Sequence, residues 1–331
     1  MQNNEPIKMV ILDDYQNFFK KKQLHLRLPP FIQLSILNEH VNNEKDFIEK
    51  VRDYQIIVGI RERTPFPKAI LDNLPNLKLL ITTGSRNASF DLDAATLNNI
   101  VVSGTSGSGE GPVDLTWGLI ISLLRGIHTE DKLTRDGRWG TVVGPSLNGK
   151  TLGLLGLGHI GKLVAKVGIA FGMNVIAWSQ NLTQQIAKQH GVKFVDKQTL
   201  CSESDILSIH SKLSDRTRGI IGSKEIALMK TSSYIINTSR GPIIEESALI
   251  NALNQKKISG AAIDTFDIEP LPTNHPLLKT PNTLITPHIG YVTEEAYEAY
   301  IEGIIENISA FFNHNPKRVL NPEVLKVFFS K

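Results

Sequence analysis

Thr151-Leu152-Gly153-Leu154-Leu155-Gly156-Leu157-Gly158-His159-Ile160-Gly161 is the stretch from which the rest of the chain is read. The apolar run over Thr151–Leu155 predicts a strand that passes directly into a Gly156-x-Gly158-x-x-Gly161 turn, and Lys162 to Phe171 continues as a helix. In that context each glycine has a physical task. Gly156 permits the tight turn, Gly158 lets the backbone approach a pyrophosphate, and Gly161 lets the helix pack closely on the strand. The N–H groups of His159 and Ile160 open the helix and can bind phosphate oxygens. The expectation is a dinucleotide site.

Working outward, further apolar strands are predicted downstream at Asn174–Ala177, Ile206–His210, Tyr234–Asn237, Gly260–Asp264 and Thr283–Thr286. Upstream they are predicted at Ile7–Leu12, Gln55–Ile60, Leu77–Thr82 and Ile100–Ser103. Helical segments alternate with them, among them Glu44–Val51, Pro67–Leu71 and a long helix from Pro112 to Ile127, and a last helix spans Thr293–Ala310. This alternation predicts an α/β fold with mainly parallel sheets. The 331 residues suit two domains. The C-terminal helix is read as returning to the first, so that 1–111 and 293–331 form one discontinuous domain and 112–292 the dinucleotide-binding one.

Composition narrows the partners. A net charge of +3 with no long basic run gives no support for nucleic-acid binding and suits a small anionic substrate. The lone Cys201 cannot form an internal disulfide, and no Cys/His cluster offers a metal site, so a cytoplasmic protein without a structural metal is expected. The start, Met1–Glu5, is polar, and the most apolar stretch, Leu115–Leu124, is too short to span a bilayer.

The strand after the glycine loop ends Trp178-Ser179-Gln180-Asn181, and no Asp or Glu occurs from Lys162 to Val195. Ser179 stands where an acid would bond the ribose hydroxyls of NAD and repel a 2′-phosphate. An NAD(P) cofactor is expected, with NADP favoured over NAD and with Lys188 as a cation that could reach the phosphate. NAD bound through a weaker ribose contact is the alternative.

Three more segments end apolar strands with reactive residues: Asn237-Thr238-Ser239-Arg240-Gly241, Asp264-Thr265-Phe266-Asp267-Ile268-Glu269-Pro270 and Thr286-Pro287-His288-Ile289-Gly290. Open α/β sheets bind ligands at the carboxyl ends of their strands, which is where these segments fall. Reduction of a 2-keto acid needs a hydride at C2, from the cofactor, and a proton at the carbonyl oxygen. His288 suits the proton, Glu269 can fix its tautomer and stabilise its charged form, and Arg240 can grip a carboxylate bidentately. Asp264 is placed to accept a hydrogen bond from a nicotinamide carboxamide.

At these residues nearly the whole chain resembles the D-isomer-specific 2-hydroxyacid dehydrogenase family, which includes phosphoglycerate dehydrogenases and glyoxylate/hydroxypyruvate reductases. The resemblance implies two Rossmann-like, doubly wound domains with the active site in the cleft between them, and a homodimer formed through the cofactor domains. It makes Arg240, Glu269 and His288 the catalytic three and adds Thr238 and Gly290 to the cofactor contacts. Thr82-Thr83-Gly84-Ser85-Arg86-Asn87 resembles the family loop whose backbone N–H groups meet the substrate carboxylate, which makes Gly84, Ser85 and Arg86 substrate candidates. Many members carry a second glycine where Arg86 stands; an Arg86 that points to solvent or pairs with Asp91 or Asp93 is favoured over one that enters the cleft to recognise a second anionic group. Asp114-Leu115-Thr116-Trp117 resembles a family helix, with Thr116 toward the nicotinamide. His210 falls in a family loop that often has proline where Lys212 stands, and is read as structural. The expected activity is interconversion of a small 2-keto acid and a D-2-hydroxy acid. Formate dehydrogenases share the fold, but they usually carry glutamine at the position of Glu269. A corepressor-like protein that senses NAD(H) is the alternative from a different class.

Overall fold

The computed structural model describes residues 5–107 and 109–328; of the polar start read at Met1–Glu5, all but the exposed Glu5 lies outside the described residues. The chain divides into two units, Met1–Ser108 with Thr293–Lys331, and Gly109–Val292.

In the first unit, β1 (Ile7–Ile11), β2 (Ile32–Ile36), β3 (Ile56–Gly59), β4 (Leu79–Thr82) and β5 (Val101–Ser103) form a parallel sheet in the order β2-β1-β3-β4-β5. The central strands are apolar along their length because helices cover both faces. Val10, Ile57, Leu80 and Val102 are fully buried and pack with Phe47, Phe66 and Phe90. The helix Glu44–Val51 starts on Asn43, whose side chain accepts from the N–H groups of Lys45 and Asp46. The helix Glu294–Phe312 buries Tyr297, Ile301, Ile304 and Ile308 at helical spacing. β2 was not expected from the sequence. It is an edge strand that is only partly buried, and its alternation of apolar and polar residues is short.

In the second unit, β6 (Thr151–Leu155), β7 (Asn174–Trp178), β8 (Lys193–Phe194), β9 (Ile206–Ile209), β10 (Tyr234–Asn237), β11 (Gly260–Ile263) and β12 (Thr283–Ile285) lie in the order β12-β11-β10-β9-β6-β7-β8, all parallel. This is a doubly wound sheet whose strand order reverses between β6 and β9, and such switch points are where ligands bind. The single helix expected from Pro112 to Ile127 is two. The helix Gly111–Arg125 closes on Gly126, at φ 62°, whose N–H bonds back to Leu123 and Ser122. A second helix, Ile127–Arg135, starts from it. Glycine in the left-handed region is the usual helix stop, so Gly126 marks the break.

The segment that follows folds back onto this second helix: Glu130 Oε1 accepts from the N–H and the hydroxyl of Thr141, at 2.8 and 2.7 Å. It nevertheless leaves Trp139 88% exposed and Val143 fully exposed. Among the described residues, no helix is long and apolar enough to cross a membrane.

Candidate active site

The glycine loop is held by its neighbours. Gly156 sits at φ 105° and donates its N–H to the Trp178 carbonyl at 2.9 Å. A side chain at Gly156 would collide with the His210 carbonyl at 2.8 Å, and one at Gly161 would stand 2.2 Å from the Gly156 oxygen. Gly158 differs, since a Cβ there meets nothing within 4 Å. The loop is thus closed on its inner side and open at Gly158. The helix His159–Ala170 begins with Lys162 donating to the Gly158 carbonyl. The N–H groups of His159, Ile160 and Gly161 therefore have no acceptor within the helix, which is the arrangement that holds phosphate oxygens. These residues fit a dinucleotide.

Ser179 is half-buried immediately after β7 and its carbonyl accepts a turn bond from Leu182. Lys188 lies in the last turn of the helix Gln184–Gln189.

The three strand-end segments are cross-tied. After β10, Asn237 accepts from the Ser239 N–H at 3.1 Å and donates to the Arg240 carbonyl at 3.0 Å, which fixes the turn that presents Arg240. The Ser239 hydroxyl donates to the Ser211 carbonyl after β9, and the Ser211 hydroxyl donates to the Leu155 carbonyl at 3.0 Å. Gly241 passes so close to the segment after β11 that a Cβ would stand 2.2 Å from the Phe266 carbonyl carbon. Thr238 and Thr116 share a 2.8 Å hydroxyl contact, and Thr116 also donates to the Pro112 carbonyl at 2.6 Å. Sequence reasoning did not anticipate these serine and threonine links, because hydroxyl partners far apart in the chain leave no local pattern.

Glu269 and His288 come together. Glu269 Oε1 accepts from the Phe266 N–H at 2.8 Å, and Oε2 lies 2.6 Å from His288 Nδ1. The His288 ring also meets Tyr291 edge-on, with centroids 5.4 Å apart. His288 has φ 52°, an uncommon conformation for a residue with a side chain. Asp264 ties down the residues on either side of it. It is fully buried, its Oδ1 accepts from the Thr286 hydroxyl at 2.6 Å and the Ile289 N–H at 2.8 Å, and its Oδ2 accepts from the Gly290 N–H at 3.0 Å. Burial pushes the Asp264 carboxyl above the usual carboxylate range, and these three hydrogen bonds oppose the shift. The Gly290 N–H is therefore engaged within the loop.

His210, just past β9, is different. It is half-buried by surface area, but its ring is densely surrounded, and its Nε2 lies 2.8 Å from the Ser208 hydroxyl. Desolvation drops its pKa to about 4.

The Gly84 loop belongs to the first unit. Gly84, at φ 95°, donates its N–H to the Thr105 hydroxyl at 2.8 Å, so that N–H is engaged within the protein. Ser85 and Arg86 are exposed. Asp91, one of the two acids weighed as a partner of Arg86, caps the helix Leu92–Leu97 through the Ala94 N–H. Among the described residues no cluster of His, Cys, Asp or Glu could hold a metal ion.

A parallel seven-strand sheet with a glycine loop at its switch point and a Glu–His pair at its carboxyl edge defines a nicotinamide-dependent dehydrogenase. Residues 117–290 match the family model described as D-isomer specific 2-hydroxyacid dehydrogenase, NAD binding domain. The chain is 35% identical over 289 residues to a glyoxylate reductase of Thermococcus litoralis, covering 84% of this chain and 87% of that one. It is 37% identical over 269 residues to a glyoxylate reductase of Aeropyrum pernix, covering 78% and 80%. The solved structure of a phosphoglycerate oxidoreductase from Vibrio cholerae O395 superposes with a TM-score of 0.89 at 35% identity, covering 93% of this chain and 99% of that one. The chain belongs to the D-isomer-specific 2-hydroxyacid dehydrogenase family, and it is an NAD(P)-dependent oxidoreductase acting on the CH–OH group of 2-hydroxy acids.

Proposed function

We propose that this enzyme reduces a small 2-keto acid to the D-2-hydroxy acid, with His288 as proton donor, Glu269 as its partner and Arg240 as the anchor of the substrate carboxylate. The observation that supports this most is the 2.6 Å contact between Glu269 Oε2 and His288 Nδ1, with the other carboxylate oxygen pinned by the Phe266 N–H. Glu269 thereby holds the proton on Nδ1 and leaves Nε2 to carry the proton that is transferred. The nicotinamide cofactor, when bound, supplies the hydride that reaches C2 of the keto acid. His288 gives its Nε2 proton to the carbonyl oxygen, and in the oxidative direction it takes that proton back. Arg240, on a turn fixed by Asn237, meets the carboxylate with its planar fork. In the first unit, Ser85 and Arg86 are the proposed substrate contacts of the Gly84 loop.

On the cofactor side, the open face at Gly158 and the N–H groups of His159, Ile160 and Gly161 would hold the pyrophosphate. Asp264 uses three acceptor positions within its loop, and a carboxylate has about four, so one on Oδ2 is left for the carboxamide N–H. Thr238 and Gly290 flank that position. NADP is favoured over NAD because Ser179 places no charge against a 2′-phosphate. A homodimer through the second unit is supported by Trp139 and Val143, large apolar side chains held out by an anchored segment.

Glyoxylate is the first substrate to test, because two relatives carry its name. The experiment is a panel of 2-keto acids with NADH and NADPH, run on the wild type and His288→Ala, with chiral analysis of products that have a stereocentre. The expected result is reduction to the D isomer that depends on His288. An L product, or full turnover by the variant at saturating cofactor, would overturn the reading.

A further inference from the structure

The end of β7 does not stand alone. The Gln180 side-chain amide, one residue past Ser179, donates to the Arg216 carbonyl at 3.0 Å. Arg216 belongs to the segment that follows β9, and β9 is separated from β7 by β6. Strands two apart in a sheet are roughly 10 Å from each other. The segment after β9 therefore crosses the end of β6, where the glycine loop sits, to reach the residue next to Ser179.

That segment is held as a closed turn. The Thr217 hydroxyl donates to the Lys212 carbonyl at 2.7 Å and accepts from the Ser214 N–H at 2.8 Å, and the Arg218 N–H returns to the Ser214 carbonyl at 2.9 Å. It carries three cations, Lys212, Arg216 and Arg218, against the single acid Asp215. Arg218 is engaged elsewhere, since its charge opposes the upward push that burial gives the Asp267 carboxyl. Lys212 and Arg216 are exposed, and neither forms an ion pair among the described residues. The polar, uncharged run Ser179-Gln180-Asn181 thus faces a turn that carries two cations not tied to any carboxylate.

We propose that Arg216 and Lys212 form the seat for the 2′-phosphate of NADP, with Arg216 the principal contact, and so set the cofactor preference of this enzyme. The inference rests on the reading that Ser179 faces the adenosine ribose. A phosphate dianion bound only by neutral side chains gains little over water, whereas a guanidinium offers paired, charge-assisted hydrogen bonds and an ammonium adds a point charge. The Gln180 bond fixes the backbone of Arg216 beside the ribose position, so the guanidinium starts from an anchored stem.

The test is calorimetric titration of the full chain with NADP⁺ and with NAD⁺, for wild type, Arg216→Ala, Lys212→Ala and Arg216→Lys. A hydrogen bond to a charged group is worth enough that Arg216→Ala should weaken NADP⁺ roughly tenfold to hundredfold. NAD⁺ binding should stay within about twofold, which also shows that the variant is folded. Lys212→Ala should act in the same direction but less, and Arg216→Lys should recover part of the loss. Raising the salt should weaken NADP⁺ more than NAD⁺ in the wild type, and Arg216→Ala should shrink that difference. If wild type binds NAD⁺ as tightly as NADP⁺, the reading of Ser179 fails and the proposal goes with it. If wild type prefers NADP⁺ and both alanine variants keep that preference, the turn after β9 is not the seat, while the cofactor reading stands.

Discussion

The turns that follow β9 and β12 each begin with a histidine close to the strand end, and they use it in opposite ways. His288 lies beyond β12 in a left-handed conformation, is paired with a carboxylate and is framed by the three hydrogen bonds of Asp264. His210 lies beyond β9, is closely packed beneath the glycine loop, and among the described residues has the Ser208 hydroxyl at its Nε2 and no carboxylate partner. In the mechanism proposed above, the side chain carries a proton where a charged partner fixes one nitrogen, and it stays neutral where protein surrounds it. On that proposal, position at the carboxyl edge of the sheet does not by itself make a histidine catalytic; its partner does.

Replacing each histidine probes this contrast. His288→Ala should lower kcat by roughly 10²–10⁴-fold, the ordinary worth of a positioned proton donor, while leaving cofactor binding intact. His210→Asn should change kcat by less than about tenfold on the same scale. Comparable losses in the two variants under saturating cofactor would erase the distinction.

Asp264→Ala removes the frame and leaves the hydrogen bonds from Thr286, Ile289 and Gly290 without an acceptor. A buried group that loses its partner costs about 1–3 kcal/mol, so the variant should lose about 3 kcal/mol of folding stability in chemical denaturation. A stability within about 0.5 kcal/mol of wild type would show that the loop does not depend on this carboxylate.

His210 also makes a prediction about pH. The unfolded chain binds a proton near pH 6.5, whereas the folded chain holds the ring neutral down to about 4. Between those values the unfolded state carries more protons, so stability falls as pH drops from 6.5 toward 4, by about 2–3 kcal/mol after allowance for partial exposure. Above 6.5 this contribution is flat. The stability of wild type relative to His210→Asn should fall by that amount as pH drops across the range; parallel curves would mean that the ring is solvated.

A last expected effect concerns the cofactor end. Ser179→Asp should reduce kcat/KM for NADPH relative to NADH by about tenfold to hundredfold, since a new carboxylate would repel the phosphate. An unchanged ratio of the two values would remove Ser179 from the ribose.

Much of this contrast was legible in the sequence. Arg240, Glu269 and His288 each follow an apolar strand, and parallel strands deliver their following residues to one edge, so a linear pattern became a spatial one. The glycine loop was legible for the same reason. The turn after β9 was invisible as a neighbour of Ser179, because the link is one side-chain amide to a backbone carbonyl 36 residues away. β2 escaped because an edge strand is only partly buried and so lacks a continuous apolar run.

One consequence lies in the hydroxyls of Thr116 and Thr238. A hydroxyl has a single proton, and that of Thr116 goes to the Pro112 carbonyl, so the contact between the two threonines must be donated by Thr238. The chain of protons runs one way, from Thr238 through Thr116 to a backbone oxygen in the first turn of the helix Gly111–Arg125. Thr238 therefore shows only lone pairs to whatever lies beside it. It welcomes an amide or a hydroxyl that brings its own proton, and it turns away an anionic oxygen, so a residue with no charge of its own still discriminates by the direction in which its neighbour's hydrogen points.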